Sequence, residues 1–88
     1  MSDRPDWARR MQDERVVRGW SQAEAVQALM ARLPYDPAAP ADEQGLLRQW
    51  KRWETGRVFP ETYRAAIAAT FGTATAAFFP ERTRAPRP

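Results

Sequence analysis

Apolar positions in this chain recur at intervals of three and four residues, and the runs they form stop at glycine or proline. That period belongs to helices with one buried face rather than to strands. From Asp6 to Arg18 there is no breaker; Trp7 and Met11, with a later valine or arginine, point inward, Asp6 stands as N-cap, and Gly19 ends the run. Ser21, with Glu24 three residues on, predicts a reciprocal capping box opening a second helix to about Arg32, its core stripe formed by Val26, Leu29 and Met30 beside Ala25. The stretch Leu33 to Ala41 contains Pro34, Pro37 and Pro40 and is read as a loop. Asp42 is expected to cap a third helix running to about Thr55 and stopped by Gly56, with Leu46, Leu47, Trp50 and Trp53 inside. Pro60 or Glu61 starts a fourth, in which Tyr63, Ile67 and Phe71 repeat every four residues before Gly72. Thr73 can cap a short fifth helix from Ala74 to about Phe79, ended by Pro80.

The expected fold is therefore all-α: a bundle of five short helices with a long loop between the second and third. A chain of 88 residues has room for one modest core. The expected organisation is a flexible N-terminus over 1–5, a helical domain over 6–80, and an Arg/Pro-rich disordered tail or linker over 81–88. Much of the apolar content is alanine, so bulk must come from the four Trp, four Phe and two Tyr. Phe78 and Phe79 would close the core or serve an interface equally well.

Without Cys or His, disulfides, thiolate metal sites and the commonest general base are excluded, and the few Ser, Thr, Asp and Glu are absorbed by caps, pairs and surface positions. An enzyme, a metal site and a cofactor are not expected, and no small-molecule site is evident. No apolar run approaches the length of a membrane span or of a secretory leader, so the expected location is the cytoplasm, with the nucleoid as its place of work.

The net charge of +3 permits nucleic-acid binding without requiring it, and the placement of charge says more. On the third helix the face opposite the tryptophans carries Gln44, Arg48, Lys51 and Arg52. Arg48 and Arg52 are one turn apart, and arginine can bond guanine bidentately in a major groove that admits one helix. Gln44, a turn earlier, could read adenine, Gln49 belongs to the same candidate reading set, and Gly45 would permit close backbone approach. Lys51 suits a phosphate better than a base. Outward Arg, Lys and Gln are equally the content of an ordinary solvated helix face, and the spacing alone does not choose. Trp50 and Trp53 could be taken for base-stacking platforms, but their register with Leu46 places them in a core.

The order of the motifs adds to this. Arg15, then Gly19-Trp20-Ser21-Gln22-Ala23-Glu24, then Lys51-Arg52-Trp53-Glu54-Thr55-Gly56-Arg57 resembles the XRE (phage Cro and repressor-like) helix-turn-helix family over most of Trp7 to Pro80. It looks especially like the N-terminal domain of actinobacterial regulators, in which a Leu-Leu-Arg-x-Trp-Lys-Arg-Trp-Glu helix precedes a segment similar to Ile67 to Thr73, often with tetratricopeptide repeats downstream. The resemblance implies a sequence-specific regulator of transcription bound to double-stranded DNA, as a monomer or a homodimer on an inverted repeat. It implies phosphate contacts from Ser21 and Gln22 at the start of the second helix, and from Arg57 just past the third. Ser21 could equally do no more than cap its helix, and Arg57 could be a solvated loop residue. It also implies a structural pair between Arg15 and Glu54. The chain departs from the family in its helix-two to helix-three connection of about ten residues, where the family has a tight turn; Tyr35 in that loop could contact DNA or a second subunit. The competing reading is a protein-interaction module that binds a sigma factor, an anti-regulator or a toxin through the same helices.

Overall fold

A computed structural model describes residues 4–34, 37–38 and 42–80. Among them the apolar runs become five helices and no strand: α1 (Asp6–Val17), α2 (Gln22–Met30), α3 (Glu43–Glu54), α4 (Arg64–Thr70) and α5 (Thr75–Phe78). No helix among the described residues is long and apolar enough to cross a membrane.

Local chemistry decides the helix ends. The Ser21 hydroxyl accepts from the Glu24 amide at 3.1 Å while the Glu24 carboxylate accepts from the Ser21 amide at 2.8 Å, so the capping box forms in both directions. At the far end of α3, Gly56 takes φ +82°, the Arg57 amide bonds the Arg52 carbonyl, and the Gly56 amide bonds the Trp53 carbonyl. This is a Schellman ending, which needs a left-handed residue and therefore favours glycine. α1 and α4 end with the same pair of bonds.

Other expected caps do not form. Pro5, not Asp6, occupies the N-cap of α1, and its carbonyl receives the Ala8 and Arg9 amides. Proline fits because its extended backbone is preset and the amide it lacks is not needed there. Asp42 holds the N-cap position of α3 without a side-chain cap bond. Thr73 yields the cap of α5 to Ala74. α2 stops at Met30, its end finished by tighter turns through Leu33. Residues Pro60 to Tyr63 form a turn, and regular α4 begins only at Arg64. The stripe survives this change because the Ile67 amide still bonds the Tyr63 carbonyl and the Phe71 amide the Ile67 carbonyl. Tyr35, the tail from 81 to 88 and residues 1–3 lie outside the described residues.

α3 is the centre of the packing, lying against α1 on one side and α2 on the other, while α4 joins α2 to α5. Trp50 and Trp53 are fully buried with Met11, Val26, Leu29 and Ile67. The rings touch in series: Trp7 meets Phe59, Phe59 meets Phe79, then Phe78, Phe71 and Trp50, ending through Trp53 at Tyr63, with Trp20 stacked on Phe71. This network supplies the bulk that an alanine-rich chain of this length otherwise lacks. Phe78 and Phe79 are buried at 3% and 0% exposure, so they belong to the core. On α1 the inward partner after Met11 is Arg15, since Val16 and Val17 are exposed.

Candidate nucleic-acid interface

The registry of α3 is set by what it buries. Leu46, Trp50, Trp53 and Glu54 face the body, and with 3.6 residues per turn this leaves Gln44, Arg48, Lys51 and Arg52 exposed on the opposite side. Gln44, Arg48 and Arg52 follow one another at intervals of four, a row about 12 Å long on an ideal helix. Gln49 is exposed beside that row. Gly45 is half-buried, and a Cβ there would meet the Asp42 carboxylate at 2.6 Å, so the space beside it is taken by the chain's own side chain.

The charge pattern divides sharply between helices. On α1, Arg9 pairs with Asp6 at 2.5 Å, Arg15 with Glu54 at 2.6 Å and Arg18 with Glu14 at 2.7 Å. Arg18 also sits over the Trp20 and Phe71 rings. Arg48, Lys51, Arg52 and Arg57 are exposed and make no side-chain hydrogen bond or ion pair among the described residues. Arg48 and Arg52, like charges one turn apart, weaken an isolated helix by a few tenths of a kcal/mol.

Behind this face is the Glu54 carboxylate, only 4% exposed. One oxygen accepts from Arg15 Nε at 2.6 Å and from Trp50 Nε1 at 2.5 Å; the other accepts from Arg15 Nη2 at 3.0 Å and from Gln22 Nε2 at 3.1 Å. Four donors on two oxygens satisfy a buried charge that would otherwise be costly. The Arg15–Glu54 pair expected from the resemblance is thus present in bidentate form, and Arg15 donates further to the Trp20 carbonyl at 2.9 Å. The hydrogen bond to Glu54 holds the Arg15 guanidinium above its usual pKa, against the opposing effect of burial and with the attraction of the carboxylate added.

The three helices leave an open cleft of about 540 Å³ lined by Arg4, Gln12, Arg15, Ser21, Gln22, Lys51, Glu54 and Thr55. It gathers Ser21, Gln22 and Lys51, the first three of the expected phosphate contacts, around one concavity; Arg57 is not part of its lining. The Ser21 hydroxyl oxygen acts as the cap of α2, and its O–H remains able to donate. Gln22 gives one amide N–H to Glu54 and keeps a second. Sequence reasoning missed Arg4, Gln12 and Thr55 in this cleft. The sequence offered little to find them by, since Arg4 stands in a segment expected to be flexible. Arg4 and Pro5 are instead docked on the end of α3: Arg4 Nη1 donates to the Glu54 carbonyl at 3.1 Å and to the Gln12 side chain, and Pro5 lies against Gly56.

Trp50 and Trp53, at 0% and 2% exposure, offer no ring face to a base. Among the described residues no group of three His, Cys, Asp or Glu side chains could hold a metal ion. Comparison with protein-family models, with curated proteins and with solved structures finds no match.

Proposed function

We propose that this protein is a sequence-specific reader of double-stranded DNA and regulates transcription by laying α3 in the major groove, α2 and α3 acting as a helix-turn-helix with a lengthened connection. The observation that carries this reading is the unneutralised cationic row of α3. Among the described residues Arg48, Lys51 and Arg52 are exposed and unpaired, whereas Arg9, Arg15 and Arg18 are neutralised by carboxylates. Exposed cations of this kind have either water or an outside partner against them. A duplex pairs them with phosphates and guanine edges.

In this reading Gln44, Arg48, Gln49 and Arg52 meet base edges, and Ser21, Gln22, Lys51 and Arg57 meet phosphates. The division follows chemistry: the planar guanidinium forks of the row suit bidentate base contact, whereas the Lys51 ammonium beside the α2 N-terminus suits an anion. Glu54 supports the reading helix from behind by fastening its last turn to α1 and α2.

The test is selection of bound duplexes from a random pool, followed by anisotropy on the recovered site and on scrambled DNA at several salt concentrations. A recovered motif bound far more tightly than scrambled DNA, with affinity falling steeply with salt, is the expected result. Weak binding blind to sequence would overturn the proposal and favour a protein partner.

A further inference from the structure

We infer that Arg4 and Pro5 are positioning residues for α3: a clamp, built ahead of the first helix, that fixes the C-terminal turn of the reading helix against the body. The clamp itself is independent of any ligand; its consequence for DNA rests on the function proposed above.

The last turn of a helix leaves carbonyls without helical partners, and each must find a donor. In α3 the Lys51 carbonyl receives the Thr55 amide at 3.2 Å, the Arg52 carbonyl the Arg57 amide at 3.2 Å, and the Trp53 carbonyl the Gly56 amide at 3.0 Å. The Schellman ending provides nothing for the Glu54 carbonyl. Arg4 Nη1 fills that gap at 3.1 Å from 50 residues away in sequence, and also donates to the Gln12 side chain on α1. One guanidinium therefore joins the start of the chain, α1 and the end of α3, with its charge at the negative pole of the α3 dipole.

Proline gives the clamp its second jaw. Helical backbone is disfavoured in a residue before proline, so Arg4 stands ahead of α1 rather than extending it. Pro5 then packs so closely on Gly56 that a Cβ there would strike Pro5 Cδ and lie 3.2 Å from Cγ. Glu54 is consequently gripped twice, by its carboxylate through Arg15 and by its carbonyl through Arg4. Lys51 and Arg52 occupy the turn so held, so its orientation sets where their cations point.

The test uses the full chain with Arg4→Ala and Arg4→Lys. Native-state hydrogen exchange is read at the Thr55, Gly56 and Arg57 amides, and binding is read on the selected and scrambled duplexes across salt concentrations. Arg4→Ala is expected to speed exchange at those three amides about tenfold, the worth of one hydrogen bond from a charged donor, while α2 amides hold their rates. It is also expected to lower affinity for the selected site several-fold and narrow the ratio to scrambled DNA, with an unchanged salt slope. Arg4→Lys should recover much of both, because an ammonium can still donate to the Glu54 carbonyl. Unchanged exchange would overturn the clamp. Equal loss on both duplexes with a salt slope reduced by about one would instead make Arg4 a phosphate ligand, and would overturn the positioning role. A parent that prefers no duplex would sink the proposed function, and exchange at the three amides would still decide the clamp.

Discussion

Arg15 and Glu54 meet in a two-point ion pair, Nε to Oε2 at 2.6 Å and Nη2 to Oε1 at 3.0 Å, that ties α1 to α3 across 39 residues of sequence. Both side chains are shielded, at 14% and 5% exposure. The pair holds the end of α3 from inside, while Arg48, Lys51 and Arg52 on its outer face have no partner among the described residues.

Removing the carboxylate charge should therefore be costly. Glu54→Gln leaves the Arg15 guanidinium shielded and uncompensated, and should lower stability by about 3 to 5 kcal/mol. Arg9→Ala, which breaks an exposed pair, should change it by less than about 1 kcal/mol. Urea denaturation of both variants checks this; a Glu54→Gln loss as small as the Arg9→Ala loss would mean that the pair contributes little.

The pH dependence of the pair follows from the raised pKa of Arg15. A cation whose folded pKa lies above its unfolded value gives stability that is fully present below the unfolded pKa and disappears as pH rises through the folded one. For Arg15 that window lies in strongly alkaline solution, so this residue adds no slope between neutral pH and pH 10. Arg15→Lys brings the window down, because lysine ordinarily titrates near pH 10. The variant should lose stability relative to the parent across about pH 9.5 to 11, seen as a widening gap between denaturation midpoints. A constant gap would show that the replaced cation does not sense Glu54.

On the outer face the expectation reverses. Arg48→Ala and Arg52→Ala should each leave stability within about 0.5 kcal/mol, since neither side chain has a partner among the described residues. Each should cost about 1 to 3 kcal/mol on the selected duplex and relax preference at one base position, whereas Lys51→Ala and Arg57→Ala should reduce the salt slope by about one. Thermal melts with anisotropy titrations decide it. Early melting of the Arg variants would place that face against the protein.

Two glycines with similar backbones separate conformation from contact. Gly19 (φ +72°) has nothing within 4 Å of its absent Cβ, whereas at Gly56 (φ +82°) the same atom would strike Pro5. Gly19→Ala should cost about 1 to 2 kcal/mol for the left-handed backbone alone. Gly56→Ala should exceed it by at least about 1 kcal/mol, the range of overpacking. Equal losses in denaturant would mean that Pro5 moves away without cost.

How much of this was legible follows the range of the forces involved. The α2 capping box, the glycine stops after α1, α3 and α4, and the inward register of Trp50 and Trp53 depend on residues a few positions apart, so spacing was enough. The inward faces also fixed the outward ones, which is why Gln44, Arg48, Lys51 and Arg52 could be placed on the solvent side of α3 before any tertiary contact was known. The caps expected of Asp6 and Thr73 fell to Pro5 and Ala74, and Asp42 took its expected N-cap position without a side-chain bond, because residue type shows that a side chain can cap, not that the entering chain aims it at the amides. The Arg15–Glu54 link was expected from family resemblance, and neither residue's neighbours would have indicated it.

The sequence by itself therefore determined the all-helical class, the helix stops and the two faces of α3. Only the tertiary structure decided that Glu54 collects four donors from three helices, that Phe78 and Phe79 belong to the core, and that Arg4 and Pro5 close on the end of α3. Those contacts depend on how the ring network in the core sets the helices against one another, a property of the whole packed chain. Local pattern carries no record of that arrangement until the core has formed.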